Sequence, residues 1–484
     1  MNGFFGDFVA LFAGVLFALA FAPFDYVYLC FVALVLVFYC WQDISIKRIF
    51  WRGFLFGIGE FGLGVSWVFV SIHQFGKAGL LSSVLLTSLF VCFWSLFSIL
   101  TAFLCHKQKV LLMPVCWVLV EFLRGRFVLN GFPWLLSSYS QLETPLAGFI
   151  PLFGAFGTSF ITVLISALVL NGFLKRKSWQ FVLIIVIGLL GSYLKTIQWT
   201  HAIGKPFSVA LLQGNISQDK KWLPENRDKT LQLYKLLIEQ NWGTNLIILP
   251  ETSIPAYQHE VFEGFLLPLH EAAKQHKTDL VVSLPIKEPS DEKFNAVMTL
   301  GSTMADYRKQ HLLPFGEYMP WQPVSGFVLQ LLNIKLGHFT EGSAHQALLM
   351  GAGFAFNTSI CYEDVFGHLA IQGLEQAAFL VNVTNDAWFG DSIEPYQHAQ
   401  LARMRALETG RFLLRATNTG LTEIVNPKGE VIAHAPLFEV AVLKGSITPM
   451  AGLTPYSQWG DLPVLWFLLL CVVFKFVFQT QRTE

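Results

Sequence analysis

Residues 354–363 read FAFNTSICYE, an apolar run of strand character that ends on a thiol and a carboxylate. Five further runs between residues 207 and 386 have the same apolar form: FSVALLQGN (207–215), NLIILPET (245–252), DLVVSLPI (279–286), FNAVMTLG (294–301) and AAFLVNVTND (377–386). Short apolar runs rich in Val, Ile and Phe are typical of β-strands. Because these runs are nearly continuous in their apolar character, they predict a sheet structure with both faces covered.

Helical stretches separate the predicted strands. Residues 226–241 place apolar side chains at helical spacing, and residues 396–411 predict another helix with a mixed surface. Strands that alternate with helices are typical of an α/β architecture. Residues 200–455 are therefore predicted to form an α/β domain.

The remainder of the chain is much more apolar. Of the 484 residues, 54% are hydrophobic and only 14% are charged, a balance that favours membrane insertion. A helix needs about 20 apolar residues to cross the hydrocarbon core of a bilayer. Eight segments approach that length, at residues 5–22, 26–42, 52–72, 79–104, 110–124, 147–173, 179–197 and 462–479. We therefore predict a seven-helix transmembrane domain at 1–199, an extramembrane domain at 200–455, and a C-terminal transmembrane helix with a cytoplasmic tail at 456–484.

The basic residues of the short loops predict the orientation of these segments. Lys and Arg accumulate in cytoplasmic loops. With the N-terminus inside, the more basic loops are those that carry Lys47, Arg48 and Arg52, then Lys107 and Lys109, then Lys175, Arg176 and Lys177. The first segment is expected to be retained, because MNGFFGDF has no basic n-region. Seven crossings then place residues 200–455 outside the cytoplasm.

Charge and motif content argue against several classes of function. The 33 basic and 33 acidic residues give a formal net charge of zero, without the basic surplus that nucleic-acid binding requires. His311, His338 and His398 lack a metal-binding spacing, and no glycine-rich nucleotide motif opens a helix. The sequence thus predicts no metal, no cofactor and no nucleic-acid partner.

Cys361 is the one cysteine of seven that falls within residues 200–455. A lone thiol has no partner there for an internal disulfide. Its place at the end of a predicted strand is where rigid scaffolds present chemistry, while a buried, inert cysteine is the simpler alternative. Cys361 is therefore a candidate nucleophile.

Two other predicted loops carry residues that complement a thiol. Glu251 follows the strand NLIILP, and Lys309 lies in ADYRKQHLLPFGEY after the strand predicted around 296–301. A carboxylate can accept the thiol proton, and a cation can stabilise the oxyanion that develops on an acyl carbon. Either residue alone is most often an ordinary solvated side chain. The three together would suffice for acyl transfer.

Four motifs, in chain order ILPETSIP, YRKQHLLPFGEYMP, SICYED and VNVTNDAWFG, resemble those of the nitrilase, or carbon–nitrogen hydrolase, superfamily. The eight apolar segments and the stretch QHAQLARMRALETGR narrow the resemblance to the apolipoprotein N-acyltransferase family. The resemblance covers essentially the whole chain. It implies an α-β-β-α sandwich attached to a polytopic α-helical domain in the bacterial inner (cytoplasmic) membrane. The catalytic domain would lie on the periplasmic side.

The resemblance also implies roles for individual residues. Glu251 would be the general base, Lys309 the stabiliser of the tetrahedral intermediate, and Cys361 the nucleophile that carries the acyl group as a thioester. Supporting or substrate-entrance positions would be Glu317, Tyr362, Glu363, Trp222 and Trp388. The simpler alternatives are core packing for the tyrosine, a structural hydrogen-bond acceptor for the second glutamate, and packing or an interfacial position for the tryptophans.

The reaction that the resemblance implies has two steps and no cofactor. A phospholipid would donate its acyl chain to Cys361, and the N-terminal diacylglyceryl-cysteine of an apolipoprotein would accept it. Two alternatives remain open from the residues alone. One is a membrane-tethered amidase or nitrilase that acts on a small amide, and the other is a transporter or lipid-binding module whose outer domain is inactive.

Overall fold

The computed structural model describes residues 3–320 and 338–480, which divide into two compact units. The first unit comprises residues 1–197 and 458–484, and the second comprises residues 198–457. The first is built from helices and is called the helical unit below. The second contains the sheets and is called the α/β unit.

Eight helices of more than eight residues account for most of the described helical unit. They are α1 (Gly3–Ala18), α2 (Tyr28–Cys40), α3 (Ile46–Gly64), α4 (Leu80–Cys105), α5 (Met113–Arg126), α6 (Ile150–Lys175), α7 (Trp179–Leu194) and, near the C-terminus of the chain, α11 (Leu462–Thr480). In the described residues, two helical segments, Leu80–Cys105 and Pro145–Lys175, are long and apolar enough to cross a membrane. A third is added if α3 and Val68–Phe75, which meet at a 61° bend, form one broken span. A helix lies in each of the eight predicted segments, and the number of crossings stays a prediction.

The third predicted segment, 52–72, is wrong at both ends. Helix α3 begins at Ile46, so Lys47, Arg48 and Arg52 lie within the helix and not in a loop. Arg52 is completely buried, with its Nε 3.0 Å from Asp7 Oδ1 on α1, and Arg48 Nη1 lies 2.7 Å from Oδ2 of the same carboxylate. The charges of these basic residues led to the prediction of a loop. In the fold, Asp7 compensates the charges of Arg48 and Arg52.

Buried polar groups also support an irregular segment of the helical unit. Residues 131–142 are buried although they form only turns and a short 3₁₀ helix. Arg124 donates to the main-chain oxygens of Phe132 and Trp134, and Glu121 accepts from the main-chain N–H and the hydroxyl of Ser137. Main-chain groups that are buried without a regular partner need such contacts. Arg124 is thus buried and donates hydrogen bonds to the main chain, so it does not lie at the surface of the unit.

Two six-stranded sheets form the centre of the α/β unit. The first has the order β13-β2-β3-β4-β5-β6, with strands Ala441–Ile447, Phe207–Gln213, Leu246–Ile248, Asp279–Lys287, Lys293–Leu300 and Ala305–Arg308. The second has the order β12-β11-β10-β9-β8-β7, with strands Val431–His434, Glu423–Val425, Leu413–Thr417, Phe379–Thr384, Phe354–Ile360 and Leu349–Gly351. A small ribbon pairs β1 (His201–Ala202) with β14 (Met450–Ala451). Strands β2, β3 and β4 run parallel, as do β8, β9 and β10.

Side-chain alternation along the strands produces four layers. Val209, Leu211 and Ile248 pack with Phe356 and Val381 between the two sheets. The opposite face of the first sheet packs against α8 (Pro224–Glu239) and α9 (Leu267–His276). The outer face of the second sheet packs against α10 (Glu394–Thr409). The order helix, sheet, sheet, helix is the predicted α-β-β-α sandwich.

The strand before Lys309 differs from the prediction. The predicted strand around 296–301 is β5, but an additional antiparallel strand, β6, follows it and Lys309 comes directly after β6. The sequence of β6, ADYR, is too short and too polar to be recognised as a strand from its pattern. The predicted helices at 226–241 and 396–411 are confirmed, with shifted ends, as α8 and α10.

Candidate active site

Three strand ends of the α/β unit bring the predicted triad together. Glu251 lies three residues beyond β3, Lys309 follows β6, and Cys361 follows β8. Glu251 and Lys309 are buried, and Cys361 is partly exposed. The charges of Glu251 and Lys309 both act on the pKa of the Cys361 thiol. One base, one cation and one thiol thus share a single environment.

Lys309 is held by two carboxylates. Its Nζ lies 2.8 Å from Oε2 of Glu317 and 4.0 Å from Oε1 of Glu251. Burial alone would lower the pKa of Lys309, but the charges of Glu317 and Glu251 outweigh this effect and raise it. Lys309 is therefore a fixed cation. This is the property required of a group that stabilises an oxyanion.

Asn295 joins the two carboxylates, and no sequence motif pointed to it. Its Nδ2 donates to Oε1 of Glu251 at 2.8 Å and to Oε1 of Glu317 at 2.9 Å. Its main-chain oxygen accepts from the N–H of Lys309 at 2.8 Å. Glu317 also accepts from the N–H of Leu313, which fixes the loop after Lys309. A polar residue inside an apolar strand was the available signal.

The backbone at Cys361 is in the left-handed region, with φ of 51°. Only glycine adopts this conformation without cost, so the turn after β8 is a strained one. Burial raises the pKa of the Cys361 thiol well above its usual range, Glu251 raises it further, and Lys309 and a hydrogen bond with Thr384 lower it. The resting thiol therefore keeps its proton. Attack on a substrate requires transfer of that proton to a base.

Glu363 anchors the loops of two triad members to each other. Its Oε1 accepts from the Tyr307 hydroxyl and from the N–H groups of Gln310 and His311, while its Oε2 accepts from the N–H of Ile360. Burial raises the pKa of Glu363 to about 7. The carboxylate thus connects the residues that flank Lys309 with the residue before Cys361. Tyr362 is buried, with its ring 5.2 Å from that of Phe366.

The two predicted entrance tryptophans are both substantially exposed, Trp222 at 51% and Trp388 at 42%. Trp222 follows the short helix Gln218–Lys221, and Trp388 lies in the 3₁₀ helix Asp386–Phe389. A hydrogen bond from Asn385 Nδ2 to Gln218 Oε1, 2.7 Å long, connects these two segments. The tryptophans therefore stand on adjacent, linked loops.

Comparisons with known proteins agree with this arrangement. The family model described as Apolipoprotein N-acyltransferase N-terminal domain matches residues 13–168, and the model described as Carbon-nitrogen hydrolase matches residues 208–456. An apolipoprotein N-acyltransferase of Methylococcus capsulatus is 46% identical to this chain, over 94% of the chain and 93% of the relative. The chain belongs to the apolipoprotein N-acyltransferase family. Relatives of the same name from Haemophilus influenzae and Coxiella burnetii are 39% and 38% identical, over 99% and 97% of this chain and 96% and 99% of theirs.

A charged network near Cys361 was not predicted, although some of its members lie in the motifs on which the family resemblance rests. The two ring nitrogens of His398, on α10, each lie 2.9 Å from a carboxylate oxygen, one of Asp364 and one of Asp386. Arg415 on β10 contacts both carboxylates as well. These carboxylates stand three residues after Cys361 and two residues after Thr384. The network therefore fixes the two loops nearest the thiol.

Part of this network has the composition of a metal site. Ligand atoms of Asp386, Glu394 and His398 lie within 4.8 Å of one another, all buried. Both ring nitrogens of His398 already face carboxylates, and Arg415 supplies a second cation to the same group. A histidine needs a free ring nitrogen to bind a metal. These contacts are those of an ion-pair network.

Proposed function

We propose that this chain is an integral membrane acyltransferase that N-acylates the N-terminal diacylglyceryl-cysteine of apolipoproteins, with a phospholipid as acyl donor. This is the last step of lipoprotein maturation, and family membership over nearly the whole chain supports it. The observation that carries the proposal is the shared environment of Cys361, Glu251 and Lys309 at three strand ends. A thiol, a base and a fixed cation supply the three functions that acyl transfer needs.

The first half-reaction forms a thioester. Glu251 accepts the Cys361 proton as the sulfur attacks the ester carbonyl of the phospholipid. The oxyanion that forms is stabilised by the ammonium of Lys309. When the tetrahedral intermediate collapses, the ester C–O bond breaks and Glu251 returns the proton to the leaving alkoxide. The products are an acyl-enzyme and a lysophospholipid.

The second half-reaction consumes the thioester. The α-amine of the acceptor attacks the thioester carbonyl, Lys309 again stabilises the oxyanion, and Glu251 accepts a proton from the attacking nitrogen. The C–S bond then breaks, and the thiolate of Cys361 recovers a proton from Glu251. Atoms and charges balance over the cycle. Because the donor product leaves before the acceptor reacts, the kinetics are of the ping-pong type.

We further propose that residues 1–199 and 456–484 span the bacterial inner membrane and that residues 200–455 lie on its periplasmic side. Both substrates carry acyl chains, so a catalytic domain held at a bilayer reaches them without extracting them into water. The exposed indoles of Trp222 and Trp388 fit an entrance at the membrane surface, where tryptophan is favoured.

Mass spectrometry of the full-length purified protein tests the thioester directly. After incubation with a diacyl phospholipid, the Cys361 peptide should gain a hydroxylamine-labile fatty-acyl mass. Cys361→Ala should lose the adduct, while Cys92→Ala, which removes a thiol of the helical unit, should retain it. Addition of a peptide with an N-terminal diacylglyceryl-cysteine should move the acyl chain to that amine. Release to water alone would instead indicate a hydrolase, and no adduct would refute the nucleophile.

A further inference from the structure

Lys221 is a buried cation at the active site that neither the sequence motifs nor the proposed mechanism uses. Its side chain is 2% exposed, although a lysine is rarely buried without a reason. The Nζ donates to the main-chain oxygen of Glu251 at 3.0 Å. The charges of Glu251 and Cys361 both act on it. Lys221 therefore contacts the turn of the proposed base and lies near the proposed nucleophile.

The contact to Glu251 holds a strained turn. Thr252, the next residue, has φ of 48°, in the left-handed region. Its N–H donates to the hydroxyl of Ser283 at 2.9 Å, while Lys221 Nζ donates to the main-chain oxygen of Glu251. Strained backbone persists where surrounding contacts determine it. The turn that carries the general base is thus fixed by one contact on each side.

The acidic side chains around Lys309 and Cys361 outnumber the one cation, Lys309, that the proposed mechanism uses. Lys309 forms its closest ion pair with Glu317, at 2.8 Å, and stands 4.0 Å from Glu251. Glu363 and Asp386 add further negative charge near Lys309 and Cys361. A buried carboxylate stays ionised only when cations or hydrogen bonds compensate it. Burial raises the pKa of Glu251, and Lys309 and Lys221 both oppose that change, so Lys221 adds to the compensation that Lys309 shares between two carboxylates.

We propose that Lys221 is a positioning residue of this site, whose positive charge keeps Glu251 ionised and assists proton transfer from Cys361, and whose hydrogen bond holds the Glu251 turn. This inference rests on the proposed thiol chemistry at Cys361. Burial lowers the pKa of Lys221 to about 8, and the Glu251 and Cys361 charges oppose that change. The ammonium form therefore predominates at neutral pH. Loss of this charge raises the pKa of both Glu251 and Cys361.

Three substitutions separate the charge from the hydrogen bond. Lys221→Arg keeps the charge, Lys221→Gln keeps a donor without charge, and Lys221→Met removes both. Lys220→Met is the matched control, because Lys220 is the preceding residue of the same short helix and is exposed. The measurement is the rate of Cys361 alkylation by iodoacetamide in the full-length protein, followed by peptide mass spectrometry over about pH 5 to 9.

The expected result is a shift of the acid limb of the alkylation profile. For Lys221→Gln and Lys221→Met the acid limb, which follows ionisation of Glu251 as the base that accepts the Cys361 proton, should move up by about one pH unit, so that alkylation below the limb is about tenfold slower. Lys221→Arg and Lys220→Met should keep the native limb even if the absolute rate changes. If the acid limb of Lys221→Gln stays at its native pH and only that of Lys221→Met shifts, the effect comes from the hydrogen bond. That result would refute a role for the charge of Lys221.

The outcome for the native protein separates this inference from the proposed function. If native Cys361 forms a phospholipid-derived thioester and all Lys221 variants keep the native limb, the inference fails and the acyltransferase proposal stands. If native Cys361 forms no adduct, the proposed function fails first. Thermal unfolding of each variant, compared with Lys220→Met, identifies a variant that has lost its fold, because Cys361 is then alkylated as an exposed thiol.

Discussion

The ammonium of Lys309 lies 2.8 Å from a carboxylate oxygen of Glu317, and both side chains are buried. Glu317→Gln should therefore leave Lys309 without its closest counter-charge. Removing one partner of a buried ion pair costs about 3–5 kcal/mol. We expect lower stability together with slower thioester formation at Cys361. Thermal unfolding of the full-length protein and the rate of adduct formation measure the two effects.

An exposed glutamate provides the control for that substitution. Glu375 is exposed in the same unit, and Glu375→Gln should change the free energy of unfolding by no more than about 0.5 kcal/mol. If Glu317→Gln is as stable and as reactive as Glu375→Gln, the Lys309 to Glu317 ion pair has no part in holding the cation.

The positive φ of Cys361 predicts an unusual stability order among inactive variants. With φ of 51°, a Cβ at this position is strained, and glycine relieves that strain by about 1–2 kcal/mol. Cys361→Gly should therefore be more stable than Cys361→Ala, the reverse of the order expected in regular structure. Both should fail to form the acyl adduct. Equal or lower stability of the glycine variant in thermal unfolding would show that the turn is not strained.

The sequence motifs identified the groups at the strand ends and two carboxylates that hold them, Glu317 and Glu363, but not Asn295 or Lys221. Glu251, Lys309 and Cys361 lie in motifs, and strand ends converge in α/β folds, so their juxtaposition was predictable. Asn295 and Lys221 act through partners that are 22 to 44 residues away along the chain. Asn295 is a polar residue inside an apolar strand, but nothing local shows which partners either residue contacts, because contacts between distant segments have no sequence period.

The same limit explains the misplaced start of α3. A hydropathy window treats Lys47, Arg48 and Arg52 as a polar break, because it does not include a compensating charge on another helix. Asp7 lies 45 residues before Arg52, yet it neutralises that side chain in the fold. Charged residues in apolar helices are tolerated when they are paired and face the interior.

That pairing makes an asymmetric prediction for the helical unit. Asp7→Leu removes the counter-charge of the fully buried Arg52, whose Nη1 still donates to the main-chain oxygen of Cys40, and should cost about 3–5 kcal/mol. The double variant Asp7→Leu with Arg52→Leu should be more stable than Asp7→Leu alone, because no buried charge remains. Arg48→Leu should cost no more than about 1 kcal/mol, since this side chain is 38% exposed. Thermal unfolding, followed by circular dichroism, measures the stability of these three variants. A double variant less stable than Asp7→Leu would contradict the pairing.

The His398 network predicts how stability changes with pH. Burial would lower the pKa of His398, but Asp364 and Asp386 overcome this effect and raise it from its usual value of 6.5 to about 10. The folded state therefore binds this proton more tightly than the unfolded chain does. The resulting stabilisation is complete below pH 6.5 and is lost as the pH rises through 10.

His398→Gln should remove this dependence. Asp364, Asp386, Glu394 and Arg415 surround the ring, so the neutral amide leaves three carboxyl groups against one guanidinium and lowers stability at neutral pH. The difference in unfolding midpoint between the native protein and His398→Gln should then shrink steadily as the pH is raised from 6.5 towards 10. His259→Gln, at an exposed position of the same unit, controls for the substitution itself and should change the unfolding midpoint little. A constant difference for His398→Gln would mean that the ring is neutral in the folded protein, and the loops behind Cys361 would then be held by Arg415 alone.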